Sequence, residues 1–232
     1  MNARARRLAP FAGYLMVALL VALIIASGNT PNAKASGAKV IAFFTHHKTS
    51  THVGDFLLAY AALATVVYFT AVAGYLRSRG SQVLATTTVG GAILAAAGLC
   101  VGAGLNEALV DQPKRLSAPA AQALNLLSND VFGILLFAGF ALATTSAGVA
   151  MLRTKALPTA LGVVTTIVGV AFATGVASWP AFMATGPLTL VIAAYVYTRS
   201  ASPAQITLPD ATVEIPAQTT TKKQSRAKAT TS

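Results

Sequence analysis

Residues 83–105 read VLATTTVGGAILAAAGLCVGAGL, 23 positions without a charged side chain. The hydrocarbon core of a bilayer, about 30 Å thick, is crossed by roughly 20 apolar residues of helix. The stretch therefore reads as a membrane-spanning helix. Five further runs are apolar and free of internal charge: 11–27, 56–76, 131–152, 159–178 and 181–197. The last contains Gly186-Pro187, read as a kink, because neighbouring helices in a bundle can re-satisfy the carbonyl that a proline frees.

Composition agrees with that solvent. Of 232 residues, 55% are apolar and 10% charged, with a mean hydropathy of +0.65. Soluble domains carry about 25% charged residues to coat a wet surface. An ordinary cytosolic enzyme is excluded, as is a disordered charged chain. The net charge of +11 is explained by position rather than by nucleic acid. Arg4, Arg6, Arg7, Arg77, Arg79, Arg153, Lys155, Arg199 and the four basic residues of the tail fall on one side of the spans. Lys34, Lys39, Lys48, Lys114 and Arg115 fall on the other, giving 12 against 5. Basic residues in short flanking segments stay in the cytoplasm. The expected fold is thus all-α: a polytopic transmembrane helix bundle of six spans over residues 1–199, with both termini cytoplasmic. Two long loops, 28–54 and 106–130, face outward and hold short helices, and residues 200–232 form a disordered basic cytoplasmic tail. The first span imitates a signal peptide, with a cleavage-like Ala33-Lys34-Ala35, and is read as an uncleaved anchor.

The spans contain no Asp, Glu, Lys, Arg or His. Proton relays and ion-coupled transport generally need such a group, and two-helix haem needs histidines there. No phosphate loop, zinc-protease motif or nucleophile elbow occurs. No catalytic machinery and no cofactor are expected. Thr65, Tyr68, Thr70, Thr86 to Thr88, Thr144, Thr145, Ser146, Thr165 and Thr166 supply the intramembrane polarity and are read as packing and inter-helix glue, the threonines bonding to their own helices. Cys100, the single cysteine, is read as a small buried apolar residue. Gly90, Gly98 and Gly102 are expected at close helix contacts within the bundle, since small residues let backbones approach in lipid. Asp55 and Asp130 each precede a span that ends in Leu-Arg-x-basic, and paired threonines recur at 87–88 and 165–166. A duplicated helical hairpin is one explanation of that likeness; apolar low complexity is the other.

Candidate chemistry gathers in the outer loops. His46, His47 and His52 lie within seven residues, with Asp55 just beyond. Imidazoles beside a carboxylate suit Zn²⁺ or Cu²⁺, although the spacing matches no recognised ligand pattern, and solvated or capping histidines are the plainer reading. Ahead of them, Val40, Ile41, Phe43 and Phe44 suit a helix lying in the membrane interface. Asp55 and Asp130 are expected in the first turns of their helices, where the macrodipole favours an acid, with Ser128 or Asn129 as cap of the fourth span. Ser117 starts a short helix with Leu116, Ala120, Leu124 and Leu127 on one face. That helix brings Asn125, Asn129 and Asp130 toward the histidines. The candidate outer-face site is therefore His46, His47, His52, Asp55, Asn129 and Asp130, its metal unknown.

The run Ala-Gln-Ala-Leu-Asn-Leu-Leu-Ser-Asn-Asp-Val-Phe from Ala121, and Leu152-Arg153-Thr154-Lys155-Ala156-Leu157-Pro158 at the end of the next span, resemble an uncharacterised family of six-span integral membrane proteins from high-GC Gram-positive bacteria. Phe43-Phe44-Thr45-His46-His47-Lys48 is similar to that family's outer-loop aromatic pair followed by His and a basic residue, with His47 as the equivalent. The resemblance covers residues 8–198 and implies a bacterial plasma-membrane location and the span count, but no activity. Having Trp179 as its single tryptophan, the chain departs from relatives richer in interfacial tryptophan. The expected function is a non-enzymatic multi-pass membrane component acting through its outer loops, with the lipid bilayer, other membrane proteins or further copies of itself as partners and no nucleic acid. The alternatives are a metal or small-ligand binder using the His46/His47/His52 loop, and a permease for an uncharged or lipophilic solute.

Overall fold

The computed structural model describes residues 10–27 and 30–201; the N-terminal arginines and nearly all of the expected tail lie outside the described residues. Within them the chain is all-helical. The helices are α1 (Phe11–Ser27), α2 (Gly37–His46), α3 (Lys48–Arg77), α4 (Gln82–Asp111), α5 (Ala118–Thr154), α6 (Thr159–Ala173) and α7 (Ser178–Ala201), with one 3₁₀ turn at Pro113–Arg115. Four of them, α3, α4, α5 and α7, are long and apolar enough to cross a membrane; α1 and α6 are apolar but shorter.

The apolar runs became helices because every backbone group is then bonded within its own segment. Two boundaries differ from the expected ones. The 159–178 run is helical only to Ala173: Gly175 takes a left-handed φ of 71° that ends α6, and the Ser178 hydroxyl donates back to the Phe172 and Gly175 carbonyls at 3.2 and 2.9 Å. The helix expected to begin and end within the second long loop instead runs unbroken into the fourth apolar run as the 37-residue α5. Ser117 caps it, accepting from the Ala120 N–H at 3.4 Å, and no cap forms at Ser128 or Asn129 because the backbone there is mid-helix.

α3, α4 and α5 rise about 45, 45 and 55 Å at 1.5 Å per residue, well beyond their apolar runs. Nearly all the excess is at one end, where residues 48–55, 106–111 and 118–130 lie; this is the loop end. At the opposite, turn end, tight connections at Ser78–Ser81 and Lys155–Pro158 meet, and the Tyr75 hydroxyl donates to the Ala156 carbonyl at 3.0 Å.

Neighbours in the bundle follow chain order, α3 on α4, α4 on α5, α5 on α6 and α6 on α7, while α1 packs between α3 and α7. The α4–α5 seam is the closest. A Cβ on Gly91 would lie 2.8 Å from the Gly139 carbonyl oxygen, and one on Gly98 would lie 2.7 Å from the Leu136 nitrogen. Gly102 takes the ring of Phe132, whose Cδ2 would stand 2.7 Å from an added Cβ. Gly90 does not share that role: it is exposed and faces open space. One residue is about 100° of helix rotation, so the contact falls to Gly91. Cys100, expected inside, is likewise exposed on the outer face of α4.

Buried hydroxyls bond to their own helices: Thr65 to Ala61 O at 2.7 Å, Thr88 to Leu84 O at 2.8 Å and Thr165 to Leu161 O at 2.7 Å. Thr88 also meets Ser146 across the α4–α5 seam at 3.1 Å. Of the two explanations for the repeated hairpin pattern, duplication gains no support from the packing: Gly90 faces open space whereas Gly169, its counterpart, packs on Thr144 and Thr145, and α6 is half as long as α4.

Candidate functional site

A second apolar cluster, separate from the main core, joins the loop-end helices. Val40 and Phe44 of α2 are buried against Leu109 and Val110 of α4 and Ala121 of α5, with Ile41, Phe43, Leu116 and Leu124 packed around them. Gly37 sits directly on the Ala118 backbone. The aromatic helix expected to lie in a membrane interface is therefore docked on protein, through a face that its i, i+4 spacing supplies. Leu127, expected on the same face as Leu124, is 47% exposed. The inward positions of this part of α5 are Ala121, Asn125 and Ser128.

Polar links complete this layer. Asn106, at the end of the α4 apolar run, donates from Nδ2 to Asp55 Oδ1 at 3.1 Å and accepts from the Ser128 hydroxyl at 2.9 Å. One side chain thus ties α3, α4 and α5. Asn125 donates to the Asn32 carbonyl at 2.9 Å, holding the connection from α1 to α2 against α5.

Asp55 is 4% exposed, and its Oδ2 has no hydrogen-bond partner among the described residues. It lies just beyond the 56–76 run, eight residues into α3, not in a first turn. Asp130 is thirteen residues into α5. Neither acid compensates a helix N-terminus as expected. Burial pushes the Asp55 carboxyl up to about 7; the Asn106 hydrogen bond opposes the rise, the Glu107 charge adds to it, and His52 opposes it.

The three histidines separate. His46 is exposed. His47 stacks on Phe43, with ring centroids 4.4 Å apart, and its Nδ1 lies 3.1 Å from the Phe43 carbonyl oxygen. His52 instead meets α4: its Nδ1 stands 2.9 Å from both Oε1 and Oε2 of Glu107. Asp111, one turn further along α4, completes a group in which one donor atom from each of the three side chains lies within 4.8 Å of the other two. Of the other expected members, Asn129 bonds to the Asn125 carbonyl at 2.8 Å and, like Asp130, is exposed. The grouping that forms is thus His52, Glu107 and Asp111, with Asp55 and Asn106 adjoining.

Glu107, Asp111 and Asn106 were not among the expected site residues. A signal for them exists in the sequence: Glu107 and Asp111 are four apart, so they share a helix face, and they follow the 83–105 run at the end where the 56–76 run begins. Family models, curated proteins and solved structures were compared with the chain, and none matches.

Proposed function

We propose that the chain is a six-span integral membrane protein with both termini in the cytoplasm, and that it works without catalysis through its outward-facing loop end as a component of a membrane assembly. The observation that carries the reading is the one-sided overshoot of α3, α4 and α5. Their apolar runs match a hydrocarbon core of about 30 Å, and their extensions carry polar groups and a water-side apolar cluster at one end only. The basic residues at the turn end, Arg77, Arg79, Arg153 and Lys155, support its cytoplasmic placement. α1 and α6, about 25 and 22 Å long, suit spans accommodated by local thinning of the bilayer. A bacterial plasma membrane is the location that the family resemblance implies.

A permease has less to support it, because backbone contact at Gly91, Gly98 and Gly139 fills the α4–α5 seam where a polar path would run. Cysteines at Lys48 or Lys114 should react with an impermeant maleimide from outside intact cells, and cysteines at Ser78 or Thr154 only after lysis. The reverse pattern overturns the orientation. Photo-crosslinkers at the same positions test the assembly role: adducts confined to the turn end would refute action through the loop end.

A further inference from the structure

We propose that His52, Glu107 and Asp111 form a binding site for one divalent first-row transition cation of the Zn²⁺ or Mn²⁺ type. The donor set is one imidazole nitrogen and carboxylates from two acids, a mixture suited to borderline and moderately hard divalent ions. With neutral imidazole, the two carboxylates balance the ion's charge. Metal–nitrogen and metal–oxygen bonds of about 2.0–2.2 Å at tetrahedral angles separate ligand atoms by roughly 3.3 Å. The His52–Glu107 separation of 2.9 Å needs to open by only a few tenths of an ångström, and one donor atom from each residue already lies within 4.8 Å of the other two. Asp111 is exposed and His52 and Glu107 are about one-third exposed, so solvent reaches the site and its side chains have room to adjust.

Two independent features also favour a cation. Glu107 and Asp111 occupy the last turns of α4, where the macrodipole is negative and carboxylates are disfavoured. No Lys or Arg lies within 4 Å of either acid among the described residues. Secondly, Asp55 stands one turn along α3 from His52, is bonded through Oδ1 to Asn106 beside Glu107, and keeps a buried Oδ2 without a donor among the described residues. A hydrated cation at His52 and Glu107 supplies negative surroundings with a positive charge and its water with an acceptor. The site differs from the expected histidine loop: it uses one of the three histidines and draws its acids from the other long loop's helix.

Full-length protein, purified in detergent and stripped with chelator, is titrated calorimetrically with ZnCl₂ and MnCl₂, and with CaCl₂ for comparison. The expected result is one Zn²⁺ or Mn²⁺ per chain, bound at least tenfold more tightly than Ca²⁺. His52→Ala and Asp111→Asn should each weaken binding by more than about tenfold, and Asp55→Asn, acting from the outer shell, by about tenfold. The His46→Ala/His47→Ala double variant should bind as wild type. Asp111 is exposed, so its variant tests the site without disturbing the fold, and thermal melts of all variants verify this. Wild-type binding no tighter than for Ca²⁺, or equal binding by folded His52→Ala and Asp111→Asn proteins, overturns the site. Neither result depends on which way the chain is threaded.

Discussion

The Asn106 amide holds one oxygen of the Asp55 carboxylate at 3.1 Å and leaves the other buried without a donor among the described residues. A carboxylate so placed favours its protonated form. With its folded pKa near 7 and a model-peptide value of about 3.9, the folded state binds a proton that the unfolded state has released. Stability from this group is full below about pH 4 and is lost as pH rises toward 7. In chelator-treated protein, Asp55→Asn should raise stability by on the order of 2 kcal/mol at pH 8 and change it little at pH 4. A variant-minus-wild-type difference in melting temperature that stays flat between those pH values would refute this.

Because Asn106 serves both Asp55 and Ser128, removing it strands two buried groups. Asn106→Ala should cost about 2–3 kcal/mol. Replacing the bonded pair together, as in Asp55→Leu/Asn106→Leu, should recover much of that loss, since no polar group is then left unpaired between them. A double-mutant cycle by denaturant unfolding reads the coupling directly; additive losses would mean that the hydrogen bond does not join the helices.

Neighbouring glycines on α4 should respond in opposite ways. Gly90 has no heavy atom within 4 Å of an added Cβ, whereas Gly91 meets the α5 backbone. Gly90→Ala should stabilise by about 0.5–1 kcal/mol through helix propensity. Gly91→Ala forces α4 and α5 apart and should cost about 1–3 kcal/mol. Thermal unfolding in detergent compares them, and equal effects would contradict the seam.

Phe44→Ala should loosen α2 without unfolding the bundle. Phe44 is 3% exposed within the small loop-end cluster, and truncating a buried phenylalanine costs about 3–5 kcal/mol. Amide exchange across 38–46 should accelerate by at least tenfold while exchange in the apolar part of α4 stays slow. Unchanged protection of α2 would show that its docking rests on other contacts.

The spans were legible because lipid as a solvent leaves a coarse signature: length and the absence of charge. Their facing was not. A helix that is apolar all round carries no periodic mark of which side meets a neighbour, so Gly90 and Gly91 are equivalent in sequence and opposite in structure. Cys100 was misplaced for the same reason. In the loops the difficulty was distance along the chain. His52 has two histidines within six positions, yet its partner is Glu107, 55 residues away. The helix at Ser117 was legible from its cap, but its continuation was not, because Ser128-Asn129-Asp130 looks like a start signal. Ser128 and Asp130 are instead mid-helix residues, the first turned inward to Asn106 and the second outward.

The uninterrupted course of α5 gives the molecule a single strut that runs from one end to the other. It touches the docked α2 and Asn32 near one tip and ends beside the basic turn at Lys155, with no glycine-broken turn or proline between Val131 and Thr154. The loop-end layer and the turn-end connection are thus two ends of one backbone, joined without an intervening turn.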